Sequence, residues 1–171
     1  NSKTTFLRRP ISINYIDRKN GTLWLLIRKA GDGTKAITEK KAGDTINMVL
    51  PLGNSFNAPE EATQVLLIGG GVGVAPLLYL GEVLKKDGYV PHFLIGARSY
   101  KDVLELDEFN NIGQVHVSTE DGSYGEKGLV TAHSILNQKW DKIYCCGPAP
   151  MMKAVARKAS EMGTDCEVSL E

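Results

Sequence analysis

The chain has 171 residues, of which 42% are hydrophobic and 23% are charged. This length and composition fit one globular domain or two small ones and argue against a disordered or collagen-like chain. Twenty Lys and Arg residues balance twenty Asp and Glu residues, so we expect neither nucleic acid nor an anionic membrane as a partner.

Residues 1–59 have the alternating pattern that is typical of β-structure. Asn20-Gly21 is a hairpin-turn signal between the first two apolar runs. Thr34 is a candidate N-cap for a short helix. This part is therefore predicted to hold strands over residues 11–15, 22–27 and 45–50, a helix over residues 34–40 and a linker over residues 57–63.

Residues 60–171 alternate between strand and helix patterns. Val65-Leu66-Leu67-Ile68 is a continuous apolar run, as in a parallel strand that is buried on both faces. Strand–helix alternation predicts an α/β fold with a doubly wound parallel sheet. The predicted strands are residues 65–68, 92–95, 114–118, 142–146 and 167–170, and the predicted helices are residues 75–86, 103–109, 149–162 and one that begins near Val130.

The uncharged stretch over residues 62–81 is long enough to suggest a membrane-spanning helix. Three consecutive glycines from Gly69 to Gly71, then Gly73 and Pro76, interrupt it. A buried strand, a glycine turn and a helix fit this pattern better than one continuous helix does. We therefore predict no transmembrane span.

The three cysteines are Cys145, Cys146 and Cys166. An odd number, with two of them adjacent, is a poor disulfide framework, because the bridge geometry strains the peptide between neighbouring cysteines. The simplest interpretation is a reduced, cytoplasmic compartment.

The strongest functional signal is a glycine turn of the pattern Gly-x-Gly-x-x-Pro. Gly71, Gly73 and Pro76 occupy its fixed positions, and Gly70 precedes it. Glycines let a backbone come close to a diphosphate, and the helix that follows offers free N–H groups and a partial positive charge. A tight turn without a ligand is the alternative. The apolar strand before the turn and the helix after it favour a dinucleotide.

A second signal follows the strand predicted over residues 142–146. Cys146, Gly147 and Pro148 lie where that strand ends and a helix begins, and open α/β sheets bind ligands at the carboxyl ends of their strands. We expect Cys146 to lie beside a cofactor ring. The alternative is a small apolar residue that closes the strand. Cys145 should point to the opposite side of the sheet.

A third signal lies near the start of the chain. Arg9 stands beside Pro10 at a strand start, where a guanidinium can hold a phosphate in a planar, bidentate way, and Ser12 can hydrogen-bond a heterocycle on the strand. The glycine turn over residues 31–34 can present N–H groups to the same diphosphate. Taken alone, an exposed arginine and an ordinary turn are the default interpretations.

Two carboxylates, Glu120 and Asp121, follow the third strand of the second part. Carboxylates accept hydrogen bonds from ribose hydroxyls and repel a phosphate on the ribose. The expected nucleotide is therefore NAD rather than NADP. A solvated acidic turn is the alternative interpretation.

Together, these segments resemble the ferredoxin–NADP reductase superfamily, in which a flavin-binding antiparallel β-barrel precedes a pyridine-nucleotide domain. Residues 7–13, residues 69–77 and the acidic glycine stretch over residues 121–128 are similar to the electron-transfer subunits of dihydroorotate dehydrogenase B. The resemblance extends over nearly the whole chain.

The resemblance implies an electron relay in pyrimidine biosynthesis. An FMN-containing dihydroorotate dehydrogenase catalytic subunit would oxidise dihydroorotate to orotate within a heterotetramer, and electrons would pass through a [2Fe–2S] centre and FAD to NAD. Cys146 would lie near the nicotinamide as the candidate catalytic residue. The resemblance implies FAD at Arg9, Pro10, Ile11, Ser12, Gly31, Gly33 and Thr34, and NAD at Gly70, Gly71, Gly73, Pro76, Glu120, Asp121, Gly147 and Pro148.

The chain departs from that family at both ends. The family has further barrel strands before the arginine motif, and it continues past the position of Glu171 into a cysteine cluster that holds the [2Fe–2S] centre. Three cysteines cannot supply the four ligands of such a cluster. We therefore expect a fragment that is inactive alone and has no metal in this chain, with residues 1–59 as part of the flavin barrel and residues 60–171 as the nucleotide domain.

Two other functions stay open. One is a subunit of a ferredoxin:NADP oxidoreductase or of a sulfide dehydrogenase. The other is a non-catalytic module that senses NAD(H), which would bind the nucleotide without passing electrons on.

Overall fold

The fold is a parallel sheet with helices on both faces, preceded by a small hairpin. The computed structural model describes residues 7–59 and 64–169. In chain order the helices and strands are β1 (Tyr15–Asp17), β2 (Thr22–Trp24), α1 (Asp32–Thr38), β3 (Gln64–Gly70), α2 (Ala75–Lys86), β4 (Val90–Ala97), α3 (Leu106–Ile112), β5 (Gln114–Thr119), β6 (Glu126–Lys127), β7 (Lys142–Cys146), α4 (Ala149–Met162) and β8 (Asp165–Ser169).

The six strands of the large sheet run parallel in the order β6-β5-β4-β3-β7-β8. Alternate residues of β3 enter different apolar clusters: Val65 and Leu67 pack with α2 and α3, while Leu66 and Ile68 pack with α4. All four side chains are fully buried, which explains why β3 is apolar throughout. The predicted doubly wound α/β fold is confirmed.

The described part before the sheet contains only two strands, β1 and β2, which pair antiparallel. The predicted third strand over residues 45–50 is wrong, because no described strand pairs with it and a lone strand leaves its backbone groups without partners. Met48 and Leu50 are about half exposed, at 48% and 54%. The Arg8 guanidinium holds this segment by donating to the Asn47 backbone oxygen at 3.0 Å.

Three predicted helices differ from the structure. The helix predicted over residues 103–109 is α3, which begins at Leu106 and ends at Ile112. Thr34 is not the N-cap of α1, because the helix begins at Asp32 with Gly31 as its N-cap. The helix predicted near Val130 is a pair of 3₁₀ turns, Val130–Ala132 and Ser134–Asn137. His133 separates the two turns in an extended conformation, which stops the first from continuing as an α-helix.

Residues 56–59 lie against the edge of the sheet formed by β7 and β8. The Tyr144 hydroxyl donates to the Asn57 backbone oxygen at 2.8 Å. The Asn57 N–H donates to the Glu167 carboxylate at 3.1 Å, and the rings of Phe56 and Tyr144 meet edge to face. The predicted domain boundary after residue 59, and the linker residues 60–63, lie outside the described residues.

A membrane-spanning helix is not found among the helices of residues 7–59 and 64–169, since none is long and apolar enough. The described part of the uncharged stretch forms β3, a 3₁₀ turn over Gly71–Val74 and the first half of α2.

Candidate functional site

The order of the sheet reverses direction at β3, because β4, β5 and β6 lie on one side of it while β7 and β8 lie on the other. In open α/β sheets, ligands bind at such a switch point, outside the carboxyl ends of the strands. Gly69 of β3 is aligned with Cys146 of β7. The two predicted turns, after Gly70 and after Cys146, therefore meet at this point.

The two turns are packed backbone to backbone. A Cβ atom on Gly73 would lie 2.5 Å from the Gly147 Cα atom and 2.6 Å from the Cys146 backbone oxygen. Gly71 has φ +55° and Gly147 has φ +155°, and L side chains rarely adopt either conformation. Glycine is therefore required in this part of the site by close approach at Gly73 and by backbone conformation at Gly71 and Gly147.

Two helix N-termini point toward the same end of the sheet. The 3₁₀ turn Gly71–Val74 runs directly into α2, with Pro76 in the first turn of that helix. Pro148 is the N-cap of α4. The first N–H groups of a helix have no intrahelical partners and carry a partial positive charge. The arrangement is suited to an anionic group such as a diphosphate.

Cys146 and Cys145 have opposite orientations, as predicted for neighbouring strand residues. The Cys146 side chain is 2% exposed and packs with α2, and the side chains of Tyr15 and Phe56 also pack on that cluster. Cys145 packs on the α4 side, where burial raises the pKa of its thiol to about 12. Cys146 thus lies on the face that the N-terminal part of the chain covers.

Glu120 and Asp121 begin a loop at the end of β5, two strands from β3, which is roughly 10 Å. The Glu120 N–H donates to the Ala97 backbone oxygen at 3.1 Å and ties the loop to β4. Asp121 Oδ1 accepts hydrogen bonds from the Ser123 backbone and hydroxyl, and these bonds lower the pKa of the Asp121 carboxyl. Asp121 is therefore ionised and partly occupied in holding the loop, whereas Glu120 is exposed at the sheet edge.

Arg9 is in contact with the glycine turn in which α1 begins. A Cβ atom on Gly33 would lie 2.7 Å from Arg9 Nε, so the guanidinium lies across this buried glycine. Thr34 Oγ1 accepts from the backbone N–H groups of Ala30 at 2.9 Å and of Gly31 at 3.1 Å. Two N–H groups of this turn are thus already bonded. Pro10 is exposed, and Ile11 and Ser12 are half-buried.

Met151 joins the two glycine turns, a role that the sequence did not suggest. A Cβ atom on Gly70 would lie 2.5 Å from Met151 Sδ, and one on Gly147 would lie 2.7 Å from Met151 Cε. Met151 is also partly buried against the apolar cluster on the α4 side of the sheet. Its place in the first turn of a helix that follows a glycine was the signal that it also touches the site.

Residues 67–157, more than half of the chain, match the family model described as "Oxidoreductase NAD-binding domain". Two curated relatives are named "Dihydroorotate dehydrogenase B (NAD(+)), electron transfer subunit". The relative from Bacillus caldolyticus is 39% identical over 163 residues, which cover 92% of this chain and 62% of the relative. The relative from Fusobacterium nucleatum subsp. nucleatum is 40% identical over 173 residues, which cover 96% of this chain and 65% of the relative. The chain therefore spans a little under two thirds of the length of these relatives.

Solved structures agree with this assignment. An NADH-dependent reduced ferredoxin-NADP oxidoreductase, studied for flavin-based electron bifurcation, superimposes with a TM-score of 0.85 at 33% identity, over 96% of this chain and 60% of that one. The flavohem-like FAD/NAD-binding domain of a nitric oxide dioxygenase from Vibrio cholerae superimposes with a TM-score of 0.77 at 21% identity. The superposition covers 94% of this chain and 76% of that domain. The second match shows the fold alone. The predicted resemblance to dihydroorotate dehydrogenase B electron-transfer subunits is confirmed, and the chain belongs to the oxidoreductase NAD-binding domain family.

Proposed function

We propose that this chain is part of an electron-transfer subunit that passes electrons between FAD and NAD in the oxidation of dihydroorotate to orotate. The observation that carries the proposal is the backbone contact of Gly73 with Gly147 at the switch point of the sheet. This contact makes one glycine-lined crevice from the two turns. The names of the curated relatives supply the substrate class.

The nucleotide site would be formed by the two turns and the loop after β5. The open backbone of the turns and the two helix N-termini would hold the NAD diphosphate. The Glu120 carboxylate would accept hydrogen bonds from the ribose, while Asp121 holds the loop. The residues assigned to NAD are Gly70, Gly71, Gly73, Pro76, Gly147, Pro148, Glu120 and Asp121.

The flavin would be held by the N-terminal part, residues 1–59, in front of the nucleotide domain, residues 60–171. Because Thr34 already occupies the N–H groups of Ala30 and Gly31, the Arg9 guanidinium would supply the main contact to the FAD diphosphate. Gly33 leaves the room that the arginine needs. Pro10, Ile11 and Ser12 would form the strand beside the ring.

When bound, FAD and NAD supply the hydride-transfer chemistry themselves. The chain's own part is to hold both diphosphates and to bring the two rings together on the face where Cys146 is buried. A [2Fe–2S] centre in the complete protein would connect this site with an FMN-containing catalytic subunit, in a heterotetramer in a cytoplasmic compartment.

Co-expression of the full-length protein with its proposed FMN-containing partner tests this function. The purified complex should reduce NAD when dihydroorotate is supplied, measured as the absorbance of NADH. A complex that binds NADH and FAD but forms no NADH from dihydroorotate would contradict the proposal.

A second candidate function is a subunit of a ferredoxin:NADP oxidoreductase. The observation in its favour is the 33% identity and TM-score of 0.85 with the NADH-dependent reduced ferredoxin-NADP oxidoreductase. Supplying reduced ferredoxin in place of dihydroorotate in the same assay separates the two candidates.

The first prediction is that the protein binds NADH at least about tenfold more tightly than NADPH, a difference of about 1.4 kcal/mol. An additional phosphate at the β5 edge would face the carboxylates of Glu120 and Asp121, and like charges repel. Titration of both nucleotides, followed by the quenching of flavin fluorescence, measures the preference.

Glu120→Gln tests the source of that preference. The Glu120 side chain is exposed and only its backbone ties the loop to β4, whereas the Asp121 carboxylate holds the loop through Ser123. This variant should bind NADPH more tightly than the wild type does. Glu161→Gln, at the far end of α4, is the matched control and should leave the preference unchanged. Tighter binding of NADPH by the wild type would contradict the assignment of this edge.

The second prediction compares Cys146→Ala with Cys145→Ala. Both side chains are buried, so each variant should lose about 1 kcal/mol of unfolding free energy. Only Cys146 lies on the face that would meet the nicotinamide, so Cys146→Ala alone should slow flavin reduction by NADH several-fold, with a smaller effect on NADH affinity. Stopped-flow absorbance measures the rate. Equal rates in the two variants would leave Cys146 with a packing role.

A further inference from the structure

A side-chain hydrogen bond connects the N-terminal part of the chain with the start of the helix α3. Asn14, just before β1, is only 2% exposed, and its Nδ2 donates to Glu105 Oε1 at 2.5 Å. The two residues are 91 positions apart in the sequence. The contact therefore spans the parts that we assign to the flavin and to the nucleotide.

The other polar atom of each side chain, Asn14 Oδ1 and Glu105 Oε2, lacks a hydrogen-bond partner among the described residues. Both oxygens have almost no surface exposed to bulk solvent. Glu105 as a residue is half-buried, but a carboxylate oxygen that is shielded from solvent and has no donor is costly when the group is ionised, and a proton on it removes that cost. One proton on Glu105 Oε2 would provide a donor for Asn14 Oδ1 and satisfy both atoms at once.

The backbone of Glu105 is held in an unusual conformation. Glu105 has φ +55° and ψ +34°, and it is the only non-glycine residue with positive φ among the described residues. It is also the N-cap of α3, but its side chain does not cap the helix. Strain of this kind persists where the surroundings require it. Here it accompanies a side chain that is bonded to Asn14 rather than to its own helix.

The charges around Glu105 do not stabilise its ionised form. No described cation forms a salt bridge with it, and Lys101 and Asp107 share its exposed side. Glu108, three residues along α3, repels it. Burial is the largest cause that raises the pKa of the Glu105 carboxyl; the bond from Asn14 opposes this effect, and Glu108 adds to it.

The neighbouring elements carry charges that are paired or bonded elsewhere. On α2, Glu82 and Lys86 form an ion pair with each other. On β1, the Asp17 carboxylate accepts hydrogen bonds from Lys19 and Asn20. Lys85, the other lysine in the last turn of α2, donates to the Asn111 backbone oxygen at 3.0 Å. These charged groups of α2 and β1 are therefore all engaged with partners other than the Glu105 carboxyl.

We propose that Glu105 is protonated at neutral pH and forms a carboxylic acid–amide pair with Asn14 through two hydrogen bonds. The amide donates to Oε1 and the acid donates to Oδ1. This pair fixes the N-terminal part of the chain on the nucleotide domain. Asn14 and Glu105 are thus positioning residues for electron transfer between flavin and nucleotide, a consequence that rests on the proposed function.

Infrared difference spectroscopy of the full-length protein tests the protonation directly. The spectrum of the wild type minus that of Glu105→Gln at neutral pH should contain the C=O stretch of a protonated carboxylic acid. The bands of an ionised carboxylate in its place would overturn the proposal. This readout needs neither substrate nor partner, so it is independent of the proposed function.

Paired substitutions test the geometry. Glu105→Gln replaces the acid by an amide that can both donate to and accept from Asn14, so its melting temperature should remain near that of the wild type. Glu105→Ala and Asn14→Leu remove the pair and should both melt at lower temperature. A glutamine variant that loses as much as the alanine variant would overturn the two-bond pair.

The positioning role has its own readout. Flavin reduction by NADH should slow in the wild type as rising pH ionises Glu105, and this pH dependence should be absent in Glu105→Gln. The same pH profile in both proteins would overturn the positioning role. A protein that shows the acid band but never oxidises NADH would contradict the proposed function and leave the pair intact.

Discussion

Replacing Gly73 with alanine should reduce NADH affinity by at least about tenfold, equivalent to 1.4 kcal/mol or more. The new Cβ atom would lie 2.5 Å from Gly147 Cα and 2.6 Å from the Gly147 backbone nitrogen. Both are backbone atoms, which cannot rotate away as a side chain can. Relief requires the two turns to separate, at a cost typical of an overpacked core, about 1–3 kcal/mol. Titration calorimetry with NADH measures the loss.

Two other glycines separate this effect from general destabilisation. Gly81→Ala, within α2, places its Cβ atom against the Phe93 ring in the core, so it should lower the unfolding free energy while the folded protein still binds NADH. Gly71→Ala meets no atom within 4 Å and suffers only from its positive φ. Its affinity loss should therefore be smaller than that of Gly73→Ala. Unchanged NADH affinity in Gly73→Ala would mean that the nucleotide lies elsewhere.

The elements predicted most accurately are those whose signals are local. The structure has β7, α2 and α4 with the predicted bounds. Both α2 and α4 have a proline in the first turn. The C-cap that follows α4 is Gly163, which has the positive φ that favours glycine after a helix. The apolar run of β3 is enough to identify a strand that is covered on both faces.

The failures occur where structure depends on distant residues. The apolar pattern of residues 45–50 predicted a strand. A strand forms only beside a pairing strand, however, and no local pattern reveals whether that strand is present. The short strand β6 was not predicted, because two residues give no periodicity. It forms because the glycine stretch after Asp121 folds back onto β5.

In the candidate site, too, the features with local sequence signals were predicted, and those that depend on distant residues were not. The pattern of glycines indicated two turns at strand ends, and each turn is where it was predicted. The contact between Gly73 and Gly147 depends on β3 and β7 being neighbours in the sheet. The pair of Asn14 and Glu105 depends on a contact across 91 positions. Neither fact is encoded in a short window of sequence.

Acid should destabilise this fold, because all three histidines of the chain are packed together. The rings of His92 and His116 stack with centroids 5.9 Å apart, His133 lies 5.8 Å from His116, and Trp140 lies 4.9 Å from His92. Burial lowers the pKa of all three, and the neighbouring rings lower that of His116 further. Among the described residues, Glu126 is the one that opposes this effect, with an oxygen 3.6 Å from His133 Nε2.

The hydrogen bonding supports neutral rings. His133 Nδ1 accepts from the Ile135 backbone N–H at 3.0 Å, which requires that nitrogen to carry no proton. His92 Nδ1 and His116 Nε2 are buried without a partner among the described residues. Protonation at these nitrogens would bury a positive charge and an N–H donor without a hydrogen-bond acceptor among the described residues.

The direction of the pH effect follows from these lowered pKa values. Above the ordinary histidine value of 6.5, both the folded and the unfolded chain are neutral at these sites, and the stabilisation is fully present. As the pH falls below 6.5, the unfolded chain takes up protons first, so the unfolding free energy decreases. Each proton taken up by the unfolded chain alone adds about 1.4 kcal/mol per pH unit to this loss.

Urea unfolding of the wild type and of His116→Phe, each at about pH 7.5 and about pH 5.5, measures the effect on both sides of the histidine range. Phenylalanine keeps an aromatic ring between His92 and His133 but removes the central titrating group, so this variant should lose less unfolding free energy on acidification. Glu105 has the opposite effect on the pH dependence. Because its pKa is raised in the folded chain, its contribution to the unfolding free energy declines as the pH rises. Its contribution cancels when the two proteins are compared at the same two pH values. Equal acid losses in both proteins would show that the histidine cluster does not determine the acid stability of the fold.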